Sequence, residues 1–286
     1  MSKESFFKPR RTINCNGKII NLSSPLVMGV INITPDSFYP GSRARHSLDA
    51  IKHAESLLEN GADILDLGAA SSRPGAGLIS PKEEQERLLP VLKAVSGQFP
   101  EAIISVDTYN SSTALKAASY GAHIINDISA GSIDPDMFST IAELQLPYII
   151  MHMQGTPANM QNKPHYNHLV REIAGFFSEK LQLLNSMGIH DVIIDPGFGF
   201  GKTLEHNYQL LAALDYFSMF EQPLLVGFSR KSMINKLLNT KSGEALNGTT
   251  VLNTIALLKG ADILRVHDAK EAREAIKITA FYNSQK

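Results

Sequence analysis

Eight short apolar runs, each followed by a longer segment of helical periodicity, constrain this chain more tightly than any other feature. The runs are LVMGVINIT from Leu26, DILDLGA from Asp63, IISVDT from Ile103, HIINDIS from His123, PYIIMHM from Pro147, VIIDPGF from Val192, PLLVGFS from Pro223 and ILRVHD from Ile263. They are rich in Val, Ile and Leu without alternation, as strands buried on both faces of a parallel sheet are. Between them, segments such as SLDAIKHAESLLENGA, PKEEQERLLPVLKAVSG and NHLVREIAGFFSEKLQLLNSMG repeat apolar residues at intervals of three and four and often stop at Gly. Strand then helix, eight times, predicts α/β architecture as a single (β/α)8 TIM barrel. An open doubly wound sheet would show fewer units and a glycine-rich turn after the first strand. No linker, low-complexity tract or charge block divides the 286 residues, so 1–24 read as an N-terminal segment with a short β-hairpin and 25–286 as one barrel.

Composition narrows the partners. A formal charge of −1 supplies no global basic field for nucleic acid, and no run approaches the ~18 apolar residues of a membrane span. The basic N-terminus MSKESFFKPRR lacks the apolar core of a secretory signal. Together with a single cysteine, Cys15, placed by this reading in a surface hairpin, these features point to a cytoplasmic protein acting on small molecules.

The stretch DPGFGFGKT, residues 195–203, imitates a phosphate-binding loop. Counting back from Gly201-Lys202-Thr203, the first glycine of that motif falls on Pro196, which has no N–H to offer an anion. In a barrel the stretch is instead a strand end plus loop, with glycines for a tight turn.

Chemistry in such barrels gathers where strands end, and the strands here end in Asn32 with Thr34, Asp66, Asp107, Asn126 with Asp127, His152, Asp195, Ser229 with Arg230 and Lys231, and Arg265 with His267 and Asp268. Taken singly, each also reads as a helix cap or loop anchor; eight strand ends together fit capping poorly. Asp107, Asn126 and Asp195 offer acceptors and an amide suited to the edge of a flat heterocycle. Arg265, His267 and Asn32 offer donors and a metal ligand suited to phosphate oxygens. His152 and His267 lack zinc-spaced partners.

The ordered motifs MGVINITPDSF, GADILDLGAASSRPGA, SVDT, GAHIINDISAG, MHMQGTP, DPGFGFGK, GFSRKSMI and RVHD resemble the dihydropteroate synthases of the folate pathway over residues 10–280. The resemblance implies condensation of 6-hydroxymethyl-7,8-dihydropterin diphosphate with p-aminobenzoate, with Mg2+, on a homodimer. It implies a pterin pocket of Asp107, Asn126, Met151, Asp195, Phe200, Gly227 and Lys231, with Asp195 on the 2-amino and N3 edge and Lys231 on the O4 and N5 side. It assigns the diphosphate to Asn32, Ser72, Arg265 and His267, with Asn32 as the Mg2+ contact, and p-aminobenzoate to Phe38, Arg73, Pro74 and Ser232. Catalytic roles fall on Asn32, Asp107, Lys231, Arg265 and His267. The chain departs from the family at Ala70 and Ser72 of AASSR and at Pro40 of SFYPGS, which keeps a non-catalytic pterin-binding paralogue in view. A pterin-dependent methyltransferase and a Schiff-base aldolase on Lys231 are further alternatives.

Overall fold

A computed structural model describes residues 12–15, 17–33, 43–71 and 75–285. The first two strands, β1 (Thr12–Cys15) and β2 (Lys18–Asn21), form an antiparallel hairpin in which Ile13 pairs with Ile20. The barrel strands follow, interleaved with helices: β3 (Leu26–Asn32), α1 (Arg43–Glu59), β4 (Ile64–Gly68), α2 (Pro81–Gln98), β5 (Ile103–Asp107), α3 (Ser111–Ser119), β6 (Ile124–Asp127) and α4 (Met137–Leu144). After these come β7 (Tyr148–Met151), α5 (Leu169–Ser186), β8 (Val192–Asp195), α6 (Leu204–Ala212), β9 (Leu225–Val226), α7 (Ser232–Leu238), α8 (Leu246–Leu258), β10 (Ile263–Val266) and α9 (Ala269–Ser284).

All eight runs read as barrel strands become parallel strands, in the order β8-β7-β6-β5-β4-β3-β10-β9. A parallel bridge between Ile194 and Leu224, with the Ile194 N–H donating to Pro223 O at 3.0 Å, joins β8 to β9 and closes the cylinder. The strands are shorter than the runs because their last residues leave the ladder to form the mouth, most of all in PLLVGFS, where the strand is Leu225–Val226 with Leu224 in the bridge to Ile194. Barrel strand seven is followed by two helices, α7 and α8, rather than one.

Alternation along the strands builds two cores. One set of residues, including Val27, Leu65, Ile104, Ile150, Ile194 and Leu264, packs outward against helical stripes such as Ala50, Ala54 and Leu57 of α1 and Leu88, Val91, Leu92 and Val95 of α2. The other points inward, where Met28, Ile64, Ile124, Ile149, Ile193, Leu225 and Ile263 meet Ile13, Cys15, Ile20 and Leu22. The hairpin is therefore the plug of the barrel floor. This corrects the placing of Cys15 on a surface hairpin: strand alternation turns its thiol into the floor, fully buried. Ser80 Oγ accepts from the Glu83 N–H before Pro81 opens α2. Among the described residues no helix is long and apolar enough to cross a membrane.

Candidate active site

Strand register sets the polar mouth. Asn32 lies beside Gly68, Gly68 beside Asp107 and Asp107 beside Asn126, so the ends of β3, β4, β5 and β6 form one row; Met151 and Asp195 form its continuation on β7 and β8. Asn32 is exposed at the rim. Arg265 reaches into the row from β10, with Nε donating to Asp66 at 2.7 Å and Nη2 to Asp107 at 2.8 Å. Asn126 Nδ2 also faces the Asp66 carboxylate, at 3.3 and 3.4 Å. Burial pushes Asp107 up to about 7; Arg265 pulls against that, while Asp66, Glu84 and Asp127 add to it. Burial works against the Arg265 charge, but Asp66 and Asp107 outweigh it and hold the guanidinium above its ordinary range.

On the other side of the mouth, Asp195 is buried and accepts from the Gly197 N–H at 2.8 Å. Burial raises its carboxyl, with Lys231 the largest opposing influence. Lys231 donates to Phe198 O at 2.6 Å and sits 4.8 Å from the centre of the Phe200 ring. Burial lowers Lys231 to about 8. Gly227 faces this amine: a Cβ there would lie 3.8 Å from Lys231 Nζ and 3.6 Å from Arg265 Cβ, narrowing the space between the two cations. Between these polar groups Tyr109, Ile128, Met151, Met160 and Phe200 form a separate apolar cluster. Apolar side chains beside convergent acids and bases are what a polar heterocycle requires.

Several strand-end residues do not converge there. Asp127 turns away and accepts from Tyr148 Oη, Ser129 Oγ and the Ser129 and Gly131 N–H groups, tying down the loop after β6. His152 is buried against Lys202, 3.1 Å from Nδ1 to Nζ, and burial followed by that lysine drives the imidazole down to about 2. Arg230 pairs with Asp268 at 2.7 Å and Ser229 Oγ lies 2.9 Å from His267 Nδ1, so the two residues before Lys231 bind the two that follow β10. Burial, then Arg230 and Arg265, lower His267 to about 4, which leaves it a neutral donor near neutral pH. Ser232 is exposed at the first turn of α7. Thr34, Phe38, Pro40, Ser72, Arg73 and Pro74 lie outside the described residues.

Other parts of the mouth escaped the sequence reading. Asp66 was visible as a strand end, but its pairing with Arg265 depends on which neighbours the closed barrel brings together. Tyr109 and Ile128 stand two residues beyond Asp107 and Asn126, a spacing that could have marked them as facing the same way. Glu84 of α2 is buried behind the loop after β5, where its Oε2 accepts from Thr108 Oγ1 at 2.8 Å and Asn110 Nδ2 at 2.9 Å. Among the described residues no three His, Cys, Asp or Glu side chains gather as a ready-made metal cage. Mg2+ commonly keeps several waters and takes one or two protein ligands plus substrate phosphates, and an exposed Asn32 carbonyl at the rim fits that mode.

Comparison with known proteins agrees with this geometry. Residues 28–267 match the model of a family described as pterin binding enzyme. The chain is 46% identical over 264 residues to the dihydropteroate synthase of Escherichia coli K12, covering 92% of this chain and 93% of that one. It superposes with a TM-score of 0.90 on the Yersinia pestis dihydropteroate synthase solved with a sulfonamide drug, at 42% identity over 96% of this chain and 99% of that one. The Xanthomonas albilineans dihydropteroate synthase in complex with 7,8-dihydropteroate gives a TM-score of 0.84 at 31% identity, covering 96% and 99%.

Proposed function

The chain belongs to the pterin binding enzymes, among the dihydropteroate synthases, and we propose that it condenses 6-hydroxymethyl-7,8-dihydropterin diphosphate with p-aminobenzoate to give 7,8-dihydropteroate and pyrophosphate. One observation carries the reading: Asp107, Asn126, Asp195, Lys231 and Arg265 share the barrel mouth with the apolar cluster of Tyr109, Ile128, Met151, Met160 and Phe200.

In this reading Asp195 accepts from the 2-amino and N3 edge of the pterin, Lys231 donates toward O4 and N5, and Asp107 and Asn126 meet the remaining ring edge. Met151 and Phe200 pack on the ring faces, and Gly227 leaves room beside them. The methylene C–O bond breaks as the arylamine nitrogen forms the new C–N bond; the electron pair leaves with the diphosphate and the amine proton passes to solvent. Positive charge on the methylene carbon is spread into the electron-rich ring beside Asp107 and Asp195. Negative charge on the leaving group meets the Arg265 Nη1 donors, since Nε and Nη2 are engaged by Asp66 and Asp107, together with the neutral His267 donor, Asn32 and Ser72. Asn32 would hold Mg2+, which would neutralise diphosphate charge when bound. Phe38, Arg73, Pro74 and Ser232 are assigned to p-aminobenzoate. A strong general base is not required, because the arylamine lone pair is already free.

We further assign a homodimer in the cytoplasm, with residues 25–286 acting as one barrel and 1–24 as its leading segment. Support for the dimer comes from α8, where Val251, Ile255 and Leu258 form one exposed stripe, and from exposed Ile278 and Phe281 on the adjoining α9. The deciding experiment is pyrophosphate release. Release that needs both the pterin diphosphate and p-aminobenzoate is expected; tight pterin binding without release would instead identify a non-catalytic paralogue.

A further inference from the structure

The mouth contains a second lysine, this one buried, that the proposed chemistry does not use. Lys202 is 2% exposed. Its Nζ lies 3.1 Å from His152 Nδ1, 2.9 Å from Gly197 O, 3.0 Å from Phe200 O and 3.3 Å from His152 O. Three of these are carbonyls, which accept and offer no proton in return, and the imidazole nitrogen is a fourth acceptor when His152 carries its proton on Nε2. The cage therefore selects the charged amine, although burial pulls Lys202 down to about 7, with Asp195 opposing that pull and Lys231 reinforcing it.

The acceptors belong to the loop that carries the pterin-facing groups. Gly197, Gly199 and Gly201 all adopt left-handed φ values, of 73°, 85° and 61°, which point successive carbonyls in different directions. Each of those carbonyls meets a side chain: Gly197 O and Phe200 O meet Lys202, Phe198 O meets Lys231, Gly199 O meets Gln161 Nε2 and Gly201 O meets Tyr166 Oη. Lys202 is the one member of this set that grips two carbonyls of the loop and also the end of β7. The titratable groups facing it are His152 after β7, Asp195 at the end of β8 and Lys231 before α7.

We propose that Lys202 is a positioning residue for pterin recognition: its ammonium ties the 197–201 loop to His152, and thereby sets Asp195, Phe200 and the Phe198 carbonyl that anchors Lys231. This explains why a stretch resembling a phosphate loop carries a lysine that faces inward, followed by Thr203, which caps α6 by accepting from the His206 N–H at 3.1 Å. The proposal rests on the pterin-binding reading above.

The test compares wild type, Lys202→Met and, as a stability control in the outer core, Phe217→Leu. It measures affinity for 6-hydroxymethylpterin by calorimetry, the Michaelis constant for p-aminobenzoate and the urea midpoint. Lys202→Met should weaken pterin binding by about tenfold or more while the p-aminobenzoate constant stays within about threefold. Phe217→Leu should lower the urea midpoint yet keep pterin affinity within about threefold, because its ring packs on Phe177, Tyr216 and Phe220. A folded Lys202→Met that binds pterin within about threefold of wild type overturns the proposal, as does an equal loss in the control. If Lys202→Met does not fold, Lys202→Gln, which restores two donors without charge, carries the same comparison against the same limits. Failure of wild type to bind the pterin would instead overturn the functional reading.

Discussion

Replacing Arg265 with methionine separates two accounts of its charge. Read from the sequence, Arg265 serves the diphosphate, and its loss should spare affinity for the free hydroxymethyl pterin. The structure gives it a second task, because it bridges Asp66 and Asp107 at 2.7 and 2.8 Å. Methionine replaces much of the aliphatic stem but leaves two carboxylates facing each other without a cation. Removing one partner of a buried ion pair costs about 3–5 kcal/mol. The Arg265 side chain is 23% exposed, so solvent moderates that loss. Protonation moderates it further and makes the cost depend on pH. Asp107 already stands at about 7 through burial, with Arg265 opposing and Asp66 contributing; without Arg265 it must rise further. Near pH 6 the carboxyl is mostly protonated in both folded proteins, and the penalty is about 1 kcal/mol of lost hydrogen bonding. Above about pH 7 the folded wild type releases this proton and the folded variant keeps it, while the unfolded chains, titrating near 4, have none. A folded state that binds more protons than the unfolded state loses stability as pH rises, so the penalty grows by about 1.4 kcal/mol per pH unit, to about 3 kcal/mol near pH 8.5. Urea unfolding at the two pH values measures this directly. Equal penalties at both, or less than about 0.5 kcal/mol near pH 8.5, would refute the bridge as drawn. Affinity for the free pterin should fall with turnover, by about tenfold near pH 8, because Asp107 loses its anchor.

Asp195→Asn should weaken pterin binding by about 1.5–3 kcal/mol, since it removes a buried charged acceptor and adds a donor facing the ring's own donors; calorimetry showing a change below about threefold would remove Asp195 from the ring edge. Gly197→Ala drives a Cβ into His152 O at a left-handed φ of 73°. With backbone on both sides of that clash, a stability loss above about 3 kcal/mol is expected in urea, and a loss under about 1 kcal/mol would show that the loop packs differently. Cys15 is buried in the barrel floor, and burial, reinforced by Asp191, pushes its thiol up to about 12. Because the thiolate is the reacting form, a thiol reagent should modify it only on unfolding; rapid labelling of native protein would mean that the hairpin does not plug the floor.

Much of the fold was legible because burial on both faces leaves a compositional mark that needs no partner to be recognised. Runs such as VIIDPGF are apolar at consecutive positions, and only a sheet covered by helices on one side and filled on the other tolerates that. The facing of each strand end was less legible, because a carboxylate that closes a strand toward the barrel interior and one that closes it toward the helices look alike in sequence. Asp107 and Asp127 illustrate the difference. Asp107 meets Arg265 inside the barrel, whereas Asp127 turns outward to Tyr148, Ser129 and Gly131. Asp107 pairs with Asn126, so Asp127 lies one residue further along and faces the opposite side, a register that the neighbouring strands set. Lys202 received no role from the sequence for a related reason: its partners are mostly backbone carbonyls, which every residue possesses and no sequence pattern advertises.

The same contacts explain how a mouth rich in carboxylates accepts an anionic substrate. The acids are not free to repel it, because Asp66 and Asp107 share Arg265, while Asp195 lies within the influence of Lys231, Arg265 and Lys202. Three carboxylates and three cations leave the inner mouth close to neutral, which suits an uncharged pterin. The diphosphate carries its charge outward, to the exposed rim at Asn32 and to the guanidinium donors that the acids leave unused. Neutralising any one buried acid should therefore unbalance the cation it holds as well as remove its own hydrogen bond. On this argument Asp66, which is buried beneath Arg265 on β4, affects ligand binding through the guanidinium. Asp66→Asn should free Arg265 from one of its two carboxylates and lower Asp107, whose ionisation Asp66 now opposes. The acid limb of pterin binding should then move to lower pH, and an unmoved or raised limb would contradict this balance of charges.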